Sequence, residues 1–121
     1  MKNNQTARKH ITDKESNEYD LLFPLLIALL KEVRELSKKK QDDALNKNKV
    51  KIINNVLIRI KELLKGEDSH YFLELLDLDS LPSNSDALFM LVQFESGLKQ
   101  FRAKYYYEDS YGDGYWTSEP E

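Results

Sequence analysis

Leu22, Leu26, Leu29, Val33 and Leu36 recur at alternating steps of four and three, the spacing of one helical face. The pattern predicts a first helix from near Asp20 to Lys39, with Asp20 as N-cap. Pro24 then falls in the first turn, where a missing N–H costs little. Leu21, Phe23, Leu25, Ile27 and Leu30 make the first half apolar on every side. That half needs cover from the middle of a domain or from a subunit interface. After the polar stretch 38–49, Val50, Ile53, Leu57, Ile60 and Leu64 repeat the spacing, widened by Ile52, Val56 and Leu63. They predict a second helix that restarts near Asp42 or Asp43, continues to Lys65 and stops at Gly66. The first two helices then form an antiparallel hairpin.

A short third helix is expected over about Ser69–Leu76, with an extended or turn segment before Pro82. Ser83 and Asp86 have capping-box spacing, and Ala87, Leu91, Phe94, Leu98, Phe101 and Tyr105 carry a four-three seam along a fourth helix. Gly97 inside that helix costs about 1 kcal/mol relative to Ala, which points to a close backbone approach. The fold class read from these patterns is all-α, a small four-helix bundle built on the helical hairpin. Residues 1–18 form a flexible polar arm, 19–107 the helical domain, and 108–121 an acidic aromatic tail.

Composition narrows the class. The 121 residues suit one domain, and at 40% hydrophobic they can build a core even with 32% charged. Only four Gly and three Pro argue against a turn-rich β fold. No cysteine is present, which removes disulfides, thiol nucleophiles and zinc fingers and fits a reducing compartment. The apolar run "LLFPLLIALL" rises about 15 Å as helix, half of the roughly 30 Å hydrocarbon core. Glu15, Glu18 and Asp20 separate it from the upstream bases, unlike a signal peptide, so a cytoplasmic protein is expected, off the membrane.

A net charge of −3 hides segregation. Eleven bases and five acids fall between Lys31 and Lys65, while 67–79 and 108–121 hold five acids each and no Lys or Arg. Lys38, Lys39, Lys40, Lys47, Lys49 and Lys51 at the hairpin tip could serve as a phosphate-binding edge. The plainer and preferred reading is that they solvate outward helix faces and helix ends, whose macrodipole favours cations; docking of the chain's own tail or of an acidic partner is the third.

Catalytic signals are sparse. His70 follows Glu67 with Glu-x-x-His spacing and Glu74 lies one turn on, but a di-metal bundle needs a second such motif. No metal and no cofactor are therefore expected. "DLDSL" (77–81) resembles the Asp-Ser-Leu attachment site of acyl carrier proteins, which implies a phosphopantetheinyl Ser80. In that family a helix begins directly after the serine, whereas here Pro82 and "SNSD" intervene. "PSNSDALF" (82–89) is similar to a stretch of the immunity proteins for nuclease bacteriocins, an acidic, helical, non-catalytic family. These eight residues imply an inhibitor acting by association. Asp109, Asp113 and Gly114 match part of a calcium loop, but Tyr111 and Pro120 stand where oxygen ligands belong.

Two readings of the tail remain. "SYGDGYW" could turn tightly and bring Tyr107 or Tyr111 against Tyr115 and Trp116 in a hairpin docked on the chain itself. Alternatively Glu108, Asp109, Tyr111, Asp113, Tyr115 and Trp116 bind a partner's basic cleft, aromatics supplying energy and carboxylates steering. The expected function is a non-catalytic protein-binding module, such as an inhibitor, antitoxin, immunity-type protein or small scaffold, with a homodimer favoured by the greasy first helix. The alternative is a helical accessory subunit of a nucleic-acid-binding assembly that uses the basic 31–65 edge.

Overall fold

Thr12 and Glu15 start the first helix well before Asp20. In the computed structural model, which describes residue 8 and residues 10–117, helix α1 spans Asp13–Lys39. Thr12 Oγ1 accepts from the Glu15 N–H at 3.1 Å, and Glu15 Oε1 accepts from the Thr12 N–H at 2.9 Å, a complete capping box. Residues 13–18, grouped above with a flexible arm, are thus helical, and residues 1–7 and 9 of that arm lie outside the described residues. Pro24 sits roughly three turns inside α1 rather than in its first turn, on the exposed side. There it cannot donate to the Asp20 carbonyl.

Helix α2, Lys47–Leu63, is capped by Asn46, whose side chain accepts from the Lys49 N–H at 2.8 Å. Asp42 and Asp43 therefore do not start it. Residues 41–45 instead pair with the chain ahead of the last helix: Leu45 N donates to Pro82 O, Asn84 N to Asp43 O and Ser85 N to Gln41 O. At the other end Leu64 is the C-cap, short of the expected stop at Gly66, which does not adopt the left-handed conformation common just past a helix end.

The third expected helix is a 3-10 turn, Asp68–Phe72, followed by extended chain. Side chains of α2 take the main-chain groups that a helix would have used. Asn54 grips Leu76 through both its N–H (3.0 Å) and its carbonyl (2.9 Å), and Lys61 Nζ donates to Leu73 O at 2.8 Å. Leu73 and Leu76 are buried by this clamp. The described residues thus hold three α-helices and a small sheet in a mostly helical fold, not four helices.

Helix α3, Asn84–Tyr105, begins at Ser83, whose hydroxyl accepts from the Asp86 N–H at 3.1 Å. Its expected seam is buried from Ala87 through Leu91, Phe94, Leu98, Phe101 and Tyr105. The core lies between this seam, Tyr19, Leu22, Leu26, Leu30 and Val33 of α1, and Val50, Ile53, Leu57, Ile60 and Leu64 at the α2 side. Leu29 and Leu36, placed on the seam of the first helix, sit at its margin. None of the described helices is long and apolar enough to cross a membrane.

The chain ends in an antiparallel hairpin of β1, Tyr106–Glu108, and β2, Gly114–Trp116, with Tyr107 opposite Tyr115. Gly112 closes its loop at φ +86°, a conformation that a Cβ disfavours. Residues 108–117 of the tail are therefore structured and dock on the chain itself, and 118–121 lie outside the described residues. The Trp116 ring meets Tyr19 edge-on at 4.9 Å and Tyr106 at 5.1 Å, and lies 6.0 Å from Phe101. Ile11, buried, donates its N–H to Thr117 O at 2.8 Å, so the two ends of the described chain meet.

Candidate partner-binding surface

Phe89 departs from the α3 seam and stands 70% exposed. It borders a shallow groove of about 530 Å³ between the first turns of α3 and the extended 74–83 segment. Leu75, Leu81, Pro82 and Met90 supply the rest of its apolar lining, and Glu74, Asp77 and Asp86 its charge, with no base among the lining residues. The backbone here is held firmly. Asn54 secures Leu76 from below, and Asp77 Oδ1 accepts from the Asp79 N–H (2.8 Å) and the Ser80 N–H (3.1 Å). Those bonds, Ser80's first, keep the Asp77 carboxyl below its ordinary pKa, so this wall remains charged. The strap at 41–45 holds the far side, where the Asn84 side chain also donates to Lys40 O at 2.8 Å.

A second, larger cleft of about 790 Å³ lies where the ends of α2 and α3 meet the start of α1. Four of its charged groups and a tyrosine hydroxyl are linked to one another. Arg8 pairs with Glu15 at 2.8 Å and its Nε lies 3.4 Å from the Tyr105 hydroxyl. That hydroxyl donates to Glu67 Oε2 at 2.9 Å, and Lys104 pairs with Glu67 at 3.1 Å. The hydrogen bond to Glu15 leads in holding the Arg8 pKa above its usual value. Burial works against the Glu15 charge, but the bonds from Arg8 and Thr12 outweigh it and hold its pKa below the usual carboxylate range. The arrangement is a closed chain of matched charges, suited to joining segments.

The residues singled out from the sequence are dispersed. Trp116 is partly buried in the aromatic cluster and Tyr115 packs on Tyr107 with centroids 4.4 Å apart. Asp109 Oδ1 accepts from the Tyr111 and Asp113 N–H groups, so it shapes the hairpin turn. Glu108 and Asp113 stay exposed beside Tyr111, which is 89% exposed. At the basic tip, Lys38 faces Glu35 (3.7 Å), Lys40 faces Asp43 (3.9 Å) and Lys49 faces Glu32 (3.4 Å). Among the described residues no ion pair falls on Lys39, Lys47 or Lys51. Glu67, His70 and Glu74 do not converge: Glu67 serves Lys104 and Tyr105, His70 Nδ1 lies 3.2 Å from Lys61 O, and Glu74 lines the groove. No cluster of three or more His, Cys, Asp or Glu among the described residues could hold a metal ion. Ser80 lies in the exposed turn shaped by Asp77, ahead of Pro82, not at a helix start. No spacing in the sequence marks this groove; its one sign there is a phenylalanine, Phe89, that lies off the α3 seam.

Comparison with protein-family models, curated proteins and solved structures finds no match.

Proposed function

We propose that this chain is a protein-binding module that works by association, holding a basic, partly apolar segment of a protein partner in the groove beside Phe89. The observation that carries the reading is an aromatic ring left in solvent at a groove that Leu75 and Met90 also line, with three carboxylates and no base among the lining residues. Apolar area supplies binding energy, while fixed charge of one sign selects and steers the ligand. An inhibitor, antitoxin, immunity-type or scaffold protein uses such a surface without chemistry. The exposed face of the hairpin turn, around Tyr111, Asp113 and Glu108, is a second acidic aromatic patch of the same character. The nucleic-acid alternative has less support, since half of the six tip lysines already face carboxylates.

The test is titration of the full chain with a synthetic helical peptide that alternates Lys/Arg and Leu faces, followed by fluorescence anisotropy. Phe89→Ala should weaken binding at least tenfold, about 1.4 kcal/mol, and Asp86→Asn should lessen its salt dependence. Circular dichroism should be unchanged, because Phe89 is mostly exposed. Equal affinity for the parent and Phe89→Ala chains would refute the groove as the binding surface.

A further inference from the structure

Helix α1 leaves a long apolar stripe uncovered. Leu21 and Leu25 are 48% and 44% exposed, and Pro24, Ile27 and Ala28 are exposed among them. At about 100° per residue, Leu21, Leu25 and Ala28 share one line, with Pro24 and Ile27 along its flank. Ion pairs Arg59–Glu18 (2.7 Å) and Lys49–Glu32 (3.4 Å) set α2 antiparallel on the opposite flank. That register brings the exposed Ile52 level with Ile27 and Ala28, at one end of the stripe.

The charges on the Pro24–Ile27 flank form a self-complementary pattern. Asp13 and Asp20 precede the apolar stretch, and Lys31 and Lys38 follow it, the members of each pair being seven positions apart. A seven-residue step keeps them on nearly one line of the helix. All four are exposed; Asp13, Asp20 and Lys31 make no ion pair among the described residues, and Lys38 has only a 3.7 Å contact to Glu35. These positions are symmetric about a point between Leu25 and Leu26. If a second α1 lies antiparallel about that point, Asp20 faces Lys31 of the second copy, Asp13 faces its Lys38, and Pro24 meets its Ile27. Each contact occurs twice, as a two-fold interface requires. On the other flank the Glu18–Arg59 pair meets the Glu32–Lys49 pair of the second copy, one acid and one base from each side. Parallel pairing would set Asp20 on Asp20 and Lys31 on Lys31, so the charges select direction as well as partner.

We propose that the chain forms a two-fold homodimer through the exposed stripe of α1, packed antiparallel with its axis beside Leu25 and Leu26. The interface uses none of the groove residues around Phe89, so it stands or falls independently of the peptide-binding reading.

Sedimentation equilibrium of the full chain at micromolar concentration tests it. The expected mass is twice the 14.2 kDa of the chain. Leu25→Glu should give a monomer with an unchanged helical spectrum, since Leu25 is already half exposed. Asp20→Lys and Lys31→Asp should each weaken the dimer about tenfold, because each places two like-charge contacts in the interface. Both changes in one chain should restore the dimer, since the swapped charges again oppose across the axis. A monomeric parent, a dimer indifferent to Leu25→Glu, or a double variant weaker than either single one would overturn the proposal.

Discussion

Gly97 lies where α3 passes the end of α2. A Cβ placed there would stand 2.9 Å from Leu64 Cδ1 and 3.2 Å from Ser69 Oγ. Leu64 is fully buried and the Ser69 hydroxyl is enclosed, with no hydrogen-bond partner among the described residues, so neither neighbour has room to retreat. Alanine gains about 1 kcal/mol of helix propensity, whereas overpacking a filled core costs roughly 1–3 kcal/mol. Gly97→Ala should therefore lower stability by about 1 kcal/mol in urea unfolding, and an increase would show that this contact is soft. The sequence already pointed to a close approach at this glycine. It could not name the neighbour, because Ser69 arrives on a 3-10 turn whose sequence pattern predicts an α-helix. Asn54 was silent for a related reason: an asparagine amid a leucine and isoleucine seam gives no sign of which distant backbone it will clamp.

At the scale of elements, apolar periodicity gave the middle of all three α-helices but not the beginnings of α1 and α2, whereas the capping spacing of Ser83 and Asp86 marked the start of α3. Both missed starts, Thr12–Glu15 and Asn46, lie in polar stretches where several Asp, Asn and Thr residues compete as caps. Which one wins depends on tertiary pairing, such as Ile11 with Thr117 and Leu45 with Pro82. The tail forms the hairpin of the first reading, and Trp116 docks it by placing its ring against Tyr19, Phe101 and Tyr106, between α1 and α3. Deleting 108–121 would thus injure the fold as well as any interface. Trp116→Ala should cost about 2 kcal/mol, below the roughly 3–5 kcal/mol of a fully buried aromatic, since the ring is only partly covered. Tyr111→Ala, on the exposed turn of the same hairpin, should stay within about 0.5 kcal/mol. Matching losses in chemical denaturation for the two variants would mean that the hairpin does not dock through Trp116.

For the whole molecule, one polar chain joins segments far apart in sequence: Arg8 and Glu15 at the start of α1, Glu67 after α2, and Lys104 and Tyr105 at the end of α3. Its charge states set a pH window for stability. Glu15 has a folded pKa below its ordinary 4.5, so its contribution is complete above that value and is lost as pH falls through the lower folded one. Lys104 behaves oppositely. Burial disfavours its charge, but bonds with Tyr105 and Glu67 prevail and raise its pKa above 10.5. Its contribution is present below 10.5 and disappears as pH rises through the higher folded value. Between those limits both ties hold and the melting temperature should vary little on their account. Below pH 4.5 it should drop, and Glu15→Gln, which keeps the shape but has no proton to gain, should drop less steeply than the parent. Thermal melts of the two chains from neutral pH down to pH 3 make the comparison. Parallel acid limbs would mean that Arg8 and Glu15 are no closer in the folded chain than in the unfolded one, and that the start of α1 is held by Ile11 and the capping box alone.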